Sequence, residues 1–260
     1  VSTEQVIVTG AGSGIGREFV KLFLADAASV LAVSLRADEL DALRIDCNAG
    51  DRLRTLVLDL SKHDAAEALV EHCATNDIIV DTLVNNAGFA CFGDVVDSDA
   101  LRLENMIMLN VVTLTKLSTL FGRQMKQRGR GNILNVGSTA GMMATVRFAA
   151  YGASKAFVNQ FSYALRAELA PTVNVTCLTP GAVSTKFAEA AGIDEFHRPS
   201  LLKHWFATGK ASSPVDVARA GYRGLRAGEA QVLVGLGSTS AWLASRLLPP
   251  SLIPRLVKHF

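Results

Sequence analysis

The sequence predicts an α/β protein built on a doubly wound, seven-stranded parallel sheet with helices on both faces. Three observations predict it. Short apolar runs alternate with helix-length stretches from end to end. The runs are continuously apolar rather than alternating, as in strands buried on both faces. Hydrophobic residues make up 49% and charged ones 19% of 260 residues, enough for a large core in a sheet that commonly reaches this size as one unit. No linker, repeat or low-complexity tract divides the chain, so one domain over 1–260 is expected.

The strands are read, in order, at Val6-Ile7-Val8, Val30 to Val33, Leu56-Val57-Leu58, Ile78-Ile79-Val80 into Leu83-Val84, Ile133-Leu134, Val173-Asn174-Val175 and Val232-Leu233-Val234. Helices are expected at Ile15 to Asp26, Ala37 to Asp46, Lys62 to Asn76, Asp99 to Gln127, Ala153 to Ala170 and Pro214 to Arg226. The last has a strong start: Ser213 as cap, Pro214 in the first turn and Asp216 three residues after the cap. In the fifth, Phe157, Phe161, Leu165 and Leu169 form the expected inward stripe, and Pro171 ends it.

A net charge of +2 and the lack of a basic stripe argue against nucleic acid as a partner. Cys47, Cys73, Cys91 and Cys177 have no Cys-x-x-Cys spacing and read as small buried hydrophobes in a reducing compartment. His197 and His204 have no acidic partner at ligand spacing, so no metal is expected. Neither a signal-peptide pattern nor a membrane-length apolar run is present, and a cytoplasmic location is expected.

Directly after the first strand comes Thr9-Gly10-Ala11-Gly12-Ser13-Gly14-Ile15-Gly16, opening the first helix. Glycines in that place let the backbone turn tightly and approach a pyrophosphate, which then sits over the helix amides. The second strand ends Ser34-Leu35-Arg36, where a coenzyme without a 2'-phosphate usually meets a carboxylate. Ser34 can donate a hydrogen bond and Arg36 can pair with a phosphate, so NADP(H) is preferred and NAD(H) is the alternative.

A second constellation runs from Ser138 to Lys155. Ser138 follows an apolar strand, which would deliver its hydroxyl to the carboxyl edge of the sheet. Tyr151 and Lys155, four apart, share a helix face. A neighbouring ammonium lowers the pKa of a phenol, so Tyr151 is expected to exchange a proton with a carbonyl oxygen that Ser138 holds.

With Thr9 to Gly16, Asn85-Asn86-Ala87-Gly88, Asn110, Ser138, Tyr151, Lys155 and Pro180-Gly181 in order, the chain resembles the short-chain dehydrogenase/reductase family over about residues 5 to 235. The resemblance implies a Rossmann-type fold and an oxidoreductase moving a hydride between a nicotinamide and a carbonyl or secondary alcohol. It implies Tyr151 as acid or base, Ser138 as carbonyl clamp, and Lys155 holding the nicotinamide ribose. Asn110 would bend a helix and hold a relay water. It further implies that Asp59 meets the adenine amine, with Leu60 flanking the ring. Asn86, Ala87 and Gly88 would lie along the cofactor, while Val183 and Thr185, after Pro180 and Gly181, would hold the carboxamide. For Asp59, Asn86 and Pro180 the alternative is that they order strand ends.

Candidate substrate loops are Phe89 to Phe92, Gly141 to Phe148 and Lys186 to Ser212, the last spanning a substrate loop at 186–212. Phe89, Phe92, Met142, Met143, Phe187, Phe196, Trp205 and Phe206 favour a hydrophobic small-molecule substrate, with plain packing as the alternative. Arg147, Lys186, His197 and Arg198 are read as solvated loop charges, with a carboxylate or phosphate head group as the alternative partner. The C-terminal extension, 238–260, carries aliphatic and basic residues at helical spacing (Trp242, Leu243, Arg246, Leu247, Leu252, Arg255, Lys258). It is expected to cover the cleft, join a homo-oligomer contact, or touch a membrane surface peripherally, in that order. Two other functions remain open: a catalytically silent NADP(H)-binding regulator, and an epimerase or dehydratase using the same tyrosine. A Ser138 hydrolase is remote, because Val136 and Ala140 stand where a nucleophile elbow requires glycine.

Overall fold

In the computed structural model, residues 3–185, 187, 191, 211–235 and 238–247 are described. Seven parallel strands form one sheet: β1 (Gln5–Thr9), β2 (Ser29–Ser34), β3 (Leu53–Val57), β4 (Thr82–Asn85), β5 (Gly131–Val136), β6 (Val173–Pro180) and β7 (Gln231–Val234). Their order is β3-β2-β1-β4-β5-β6-β7, so the winding reverses between β1 and β4. Open α/β sheets bind ligands at the carboxyl ends of the strands beside such a reversal.

The helices are α1 (Gly14–Ala25), α2 (Ala37–Cys47), α3 (Ala65–Thr75), α4 (Ala100–Ile107), α5 (Leu114–Arg128), α6 (Ala149–Leu169), α7 (Pro214–Arg226) and α8 (Ser238–Leu247). Successive strand residues feed opposite layers, as the pleat requires. Val6 and Val8 pack with Phe19, Phe23, Leu178 and Val217 on the α1 and α7 side. Ile7 packs with Leu83, Ile133, Phe121, Met125 and Leu169 on the α3, α5 and α6 side. Phe19, Phe23 and Phe121 are fully buried, each contributing about 1.5–3 kcal/mol of apolar burial. The α7 start forms as expected: Ser213 Oγ accepts from Asp216 N at 3.0 Å and donates to Asp216 Oδ2 at 2.6 Å.

Several boundaries and one helix face differ from the sequence expectation. Ile78 to Val80 precede β4 instead of joining it, and Ile79 is exposed. Helix α6 starts at Ala149, four residues before the expected Ala153, which places Tyr151 inside its first turn. Its buried face runs through Tyr151, Lys155, Val158, Asn159, Ser162, Leu165 and Leu169, whereas Phe157 is 40% exposed and stacks on Phe161. Phe161 still packs against the core, and Lys155, Asn159 and Ser162 take inward places because Val136 O, Ser138 O and Asn135 Nδ2 partner them there. The long helix expected at Asp99 to Gln127 divides into α4 and α5 around a π-helical segment, Met108–Thr113.

Lys186, Phe196, His197, Arg198, His204, Trp205 and Phe206 lie outside the described residues, as does the tail beyond Leu247. Helix α8 lies against β7 and the turn Thr139–Gly141. No described helix is long and apolar enough to cross a membrane.

Candidate active site

The glycine loop is locked between β1 and β4. Thr9 Oγ1 donates to Val84 O at 3.2 Å and accepts from the Asn86 and Ala87 amides, each at 3.0 Å. Asn86 Nδ2 donates to Thr9 O at 2.9 Å and Gly10 O at 3.1 Å, so Asn86 ties two strand ends together. Gly10 has φ +63°, and a β-carbon at Gly16 would fall 2.1 Å from Gly10 O; both positions exclude a side chain. Ser13 and Ile15 flank Gly14 at the start of α1. Ala11 N donates to Val33 O at 3.0 Å, anchoring the loop to β2.

The loop after β6 meets this turn. Gly181 N donates to Val234 O at 2.9 Å, Val183 bridges Ser212, and Thr185 Cγ2 lies 3.4 Å from where a β-carbon of Gly14 would be. Across the sheet, a β-carbon at Gly88 would lie 2.8 Å from Asn110 Oδ1 and 3.5 Å from Lys155 Nζ. The line from Gly12 through Gly14 to Gly88 thus has no room for further side chains: Glu39 and Ser34 lie against Gly12, Thr185 against Gly14, and Asn110 and Lys155 against Gly88. Its backbone amides and hydroxyls fit a dinucleotide.

Asp59 and Leu60 serve their own turn. Asp59 Oδ1 accepts from Ser61 N at 3.0 Å and Ser61 Oγ at 2.6 Å. Burial alone would raise that carboxyl, but the Ser61 donors and the Lys62 ammonium hold it below its usual value. The buried Leu60 offers its carbonyl to Thr113 Oγ1 at 2.8 Å.

Asn110 is wholly buried in the π-helical segment, a feature frequent at functional sites. Its Nδ2 donates to Phe89 O at 3.0 Å and Ser154 Oγ at 3.1 Å, and its Oδ1 accepts from Phe89 N at 3.2 Å. It therefore fixes the segment that follows Gly88.

Ser138, Tyr151 and Lys155 are brought together and buried to within 8% exposure. The Ser138 hydroxyl accepts from Ala140 N at 3.1 Å and lies near enough to the Tyr151 phenol to act against the rise in its pKa. Lys155 Nζ donates to Val136 O at 2.8 Å. The expected tuning of the phenol by the lysine is corrected here: burial pushes Tyr151 up to about 12, and only the nearby Ser138 hydroxyl opposes it. Burial likewise pulls Lys155 down to about 8, with the nearby Cys177 working against that fall. Shared helix face did not decide where the ammonium points; the carbonyl at the end of β5 did.

One positioning residue was not read from the sequence. Asn159, 5% exposed, donates from Nδ2 to Ser138 O at 3.1 Å, and its Oδ1 fills the notch beside Gly137 and meets Cys177 Sγ at 3.6 Å. Its place two turns after Tyr151 was the available signal.

Three loops converge on the phenol. Phe92 N donates to Ala191 O at 3.1 Å, and Gly93 N to Arg147 O at 2.9 Å. The Phe148 and Phe187 rings lie 5.8 and 5.6 Å from the Tyr151 ring, and Phe92 lies 5.0 Å from Phe148. Arg147 is exposed, as expected of a solvated loop charge, and lays its guanidinium over Phe92 at 4.4 Å in a cation–π contact.

At the end of β2, Ser34 is buried, and Arg36 binds Asp38 through Nε at 3.1 Å and Nη2 at 2.6 Å. Glu39 Oε1 lies 3.7 Å from Arg36 Nε. A carboxylate therefore does stand in this region, contrary to the reading of the strand end, because α2 folds Glu39 back toward the glycine loop.

Residues 4–195 match the family model described as short chain dehydrogenase. The probable oxidoreductase EphD of Mycobacterium tuberculosis is 34% identical over 197 residues, covering 75% of this chain and 33% of its own. This chain thus spans about a third of that relative's length. Galactitol 2-dehydrogenase (L-tagatose-forming) of Cereibacter sphaeroides is 34% identical over 221 residues, covering 82% of this chain and 84% of its own. Among solved structures, a short-chain dehydrogenase from Sphingobium yanoikuyae in complex with NADPH superposes with TM-score 0.81 at 28% identity, covering 99% of this chain and 96% of its own.

Proposed function

The chain belongs to the short-chain dehydrogenase family, and we propose from that premise that it is a nicotinamide-dependent oxidoreductase interconverting a carbonyl and a secondary alcohol. The observation that carries the proposal is the burial together of Ser138, Tyr151 and Lys155 at the carboxyl edge of the sheet, with Lys155 Nζ 3.5 Å from where a β-carbon of Gly88 would lie.

When bound, a nicotinamide dinucleotide supplies or accepts the hydride. Ser138 donates a hydrogen bond to the substrate oxygen. Tyr151 passes its phenolic proton to that oxygen in the reducing direction and takes one back in the oxidising direction. Burial keeps the phenol protonated, which is the form reduction needs. Lys155, whose ammonium faces the groove from the Val136 carbonyl, holds ribose hydroxyls, and Asn110 keeps the segment after Gly88 in place.

Thr9, Gly10, Gly12, Ser13, Gly14, Ile15 and Gly16 cradle the pyrophosphate; Ala87 and Gly88 line the groove, and Val183 and Thr185 close it beyond Pro180 and Gly181. Arg36 and Ser34 support a preference for NADP(H) over NAD(H). The Phe92, Phe148 and Phe187 rings support a hydrophobic substrate, and the undivided sheet supports one catalytic domain.

The test is a panel of hydrophobic ketones and alcohols monitored by nicotinamide absorbance with both coenzymes. Stoichiometric coenzyme consumption with a ketone supports the proposal. Coenzyme binding with no turnover across the panel would favour a silent regulator, and product formation without net coenzyme consumption an epimerase or dehydratase.

A further inference from the structure

The approach to the adenosine end of the groove is occupied by a carboxylate. A β-carbon at Gly12 would lie 2.5 Å from Glu39 Oε2, 2.7 Å from Glu39 Cβ and 2.9 Å from Ser34 Oγ. Glu39 thus lies against the glycine loop, with its side chain 23% exposed, while its other oxygen lies 3.7 Å from Arg36 Nε. Arg36 is also held by both oxygens of Asp38. The Arg36 guanidinium thus faces two carboxylates.

In this fold the adenosine ribose sits between the glycine loop and the end of the second strand, where an acid accepts from the ribose hydroxyls and an arginine receives a 2'-phosphate. A 2'-phosphate brings close to two negative charges at neutral pH. It meets Arg36 only in competition with Asp38 and Glu39, and it approaches the Glu39 carboxylate directly. The ribose diol of NAD(H) has the opposite relation to Glu39, since its hydroxyls can donate to that carboxylate.

We propose that Glu39 is a specificity-determining residue that opposes the 2'-phosphate, so that Arg36 draws NADP(H) in and Glu39 limits the gain. The inference rests on the dinucleotide reading of the glycine loop but not on which coenzyme the wild type prefers. Its sequence position, in the first turn of α2, is outside the strand end where such an acid is ordinarily sought.

The test is titration of wild type, Glu39→Gln and Glu39→Ala with NADPH and NADH, reading nicotinamide fluorescence for Kd and circular dichroism for folding. The expected result is a fall of about tenfold or more in the ratio of the NADPH Kd to the NADH Kd in each folded variant. An unchanged ratio, with both coenzymes still bound, would overturn the role of Glu39 and leave the dinucleotide site standing. Failure of the wild type to bind either coenzyme would overturn the dinucleotide reading and this inference with it.

Discussion

Asn159 holds Ser138 from behind: its Nδ2 donates to the Ser138 carbonyl at 3.1 Å while its Oδ1 sits against the Gly137 backbone. The serine that faces Tyr151 is therefore set by a residue with no contact to the phenol in the hydrogen-bond network. Asn159→Leu leaves that carbonyl with the Gly141 amide, at 3.1 Å, as its remaining donor, a loss of about 0.5–1.5 kcal/mol. The expected outcome is a kcat lowered several-fold with coenzyme Kd unchanged, measured by steady-state kinetics and fluorescence titration. A kcat equal to wild type would remove Asn159 from the positioning role.

The buried lysine makes stability depend on pH. Lys155 has its pKa pulled from 10.5 down to about 8, so the unfolded chain binds more protons than the folded one between those values. Folding stability gains from this group as pH rises from about 8 toward 10.5, and the gain is lost as pH falls through 8. Urea unfolding of wild type and Lys155→Met across that window checks it. The wild type should gain on the variant with rising pH; a constant difference would show that the ammonium is not desolvated.

Gly16 has no room for a methyl group, since its β-carbon would lie 2.1 Å from a backbone oxygen that is itself held by Asn86. Gly16→Ala should destabilise the chain by about 1–3 kcal/mol and weaken coenzyme binding about tenfold or more. Thermal unfolding with and without coenzyme reads both effects. Wild-type affinity in the variant would mean the loop tolerates a shift that the hydrogen bonds argue against.

Arg226 ties α7 to the residue before β1 and to the end of α1. It pairs with Glu4 at 2.6 Å and Asp26 at 3.0 Å, and its guanidinium lies 5.3 Å from the Phe23 ring centre. A network of this kind exceeds an isolated surface pair, so Arg226→Met is expected to cost about 1 kcal/mol or more in chemical denaturation. A change within error would reduce the network to a surface coincidence.

The fold was legible because burial on both sheet faces leaves continuous apolar runs such as Val6-Ile7-Val8 and Val30 to Val33, and because glycines between a strand and a helix have few other uses. What escaped was decided by tertiary packing. The π-helical register around Asn110 depends on where its amide finds partners, Phe89 and Ser154, which local propensity does not encode. Glu39 reads as an ordinary first-turn acid until α2 brings it to Gly12. Four-residue spacing put Lys155 on the face of Tyr151, yet the free carbonyl of Val136 claimed its ammonium.

The central claim is that the Tyr151 phenol moves the proton, and a single variant addresses it most directly. Tyr151→Phe removes one hydroxyl from a ring already packed between Phe148 and Phe187, so the fold and the groove should persist. Turnover of a ketone that the wild type reduces should fall by about a hundredfold or more, while the coenzyme Kd stays within about twofold of wild type, well inside one tenfold step of affinity. Turnover near the wild-type rate, with coenzyme bound as before, would contradict the account.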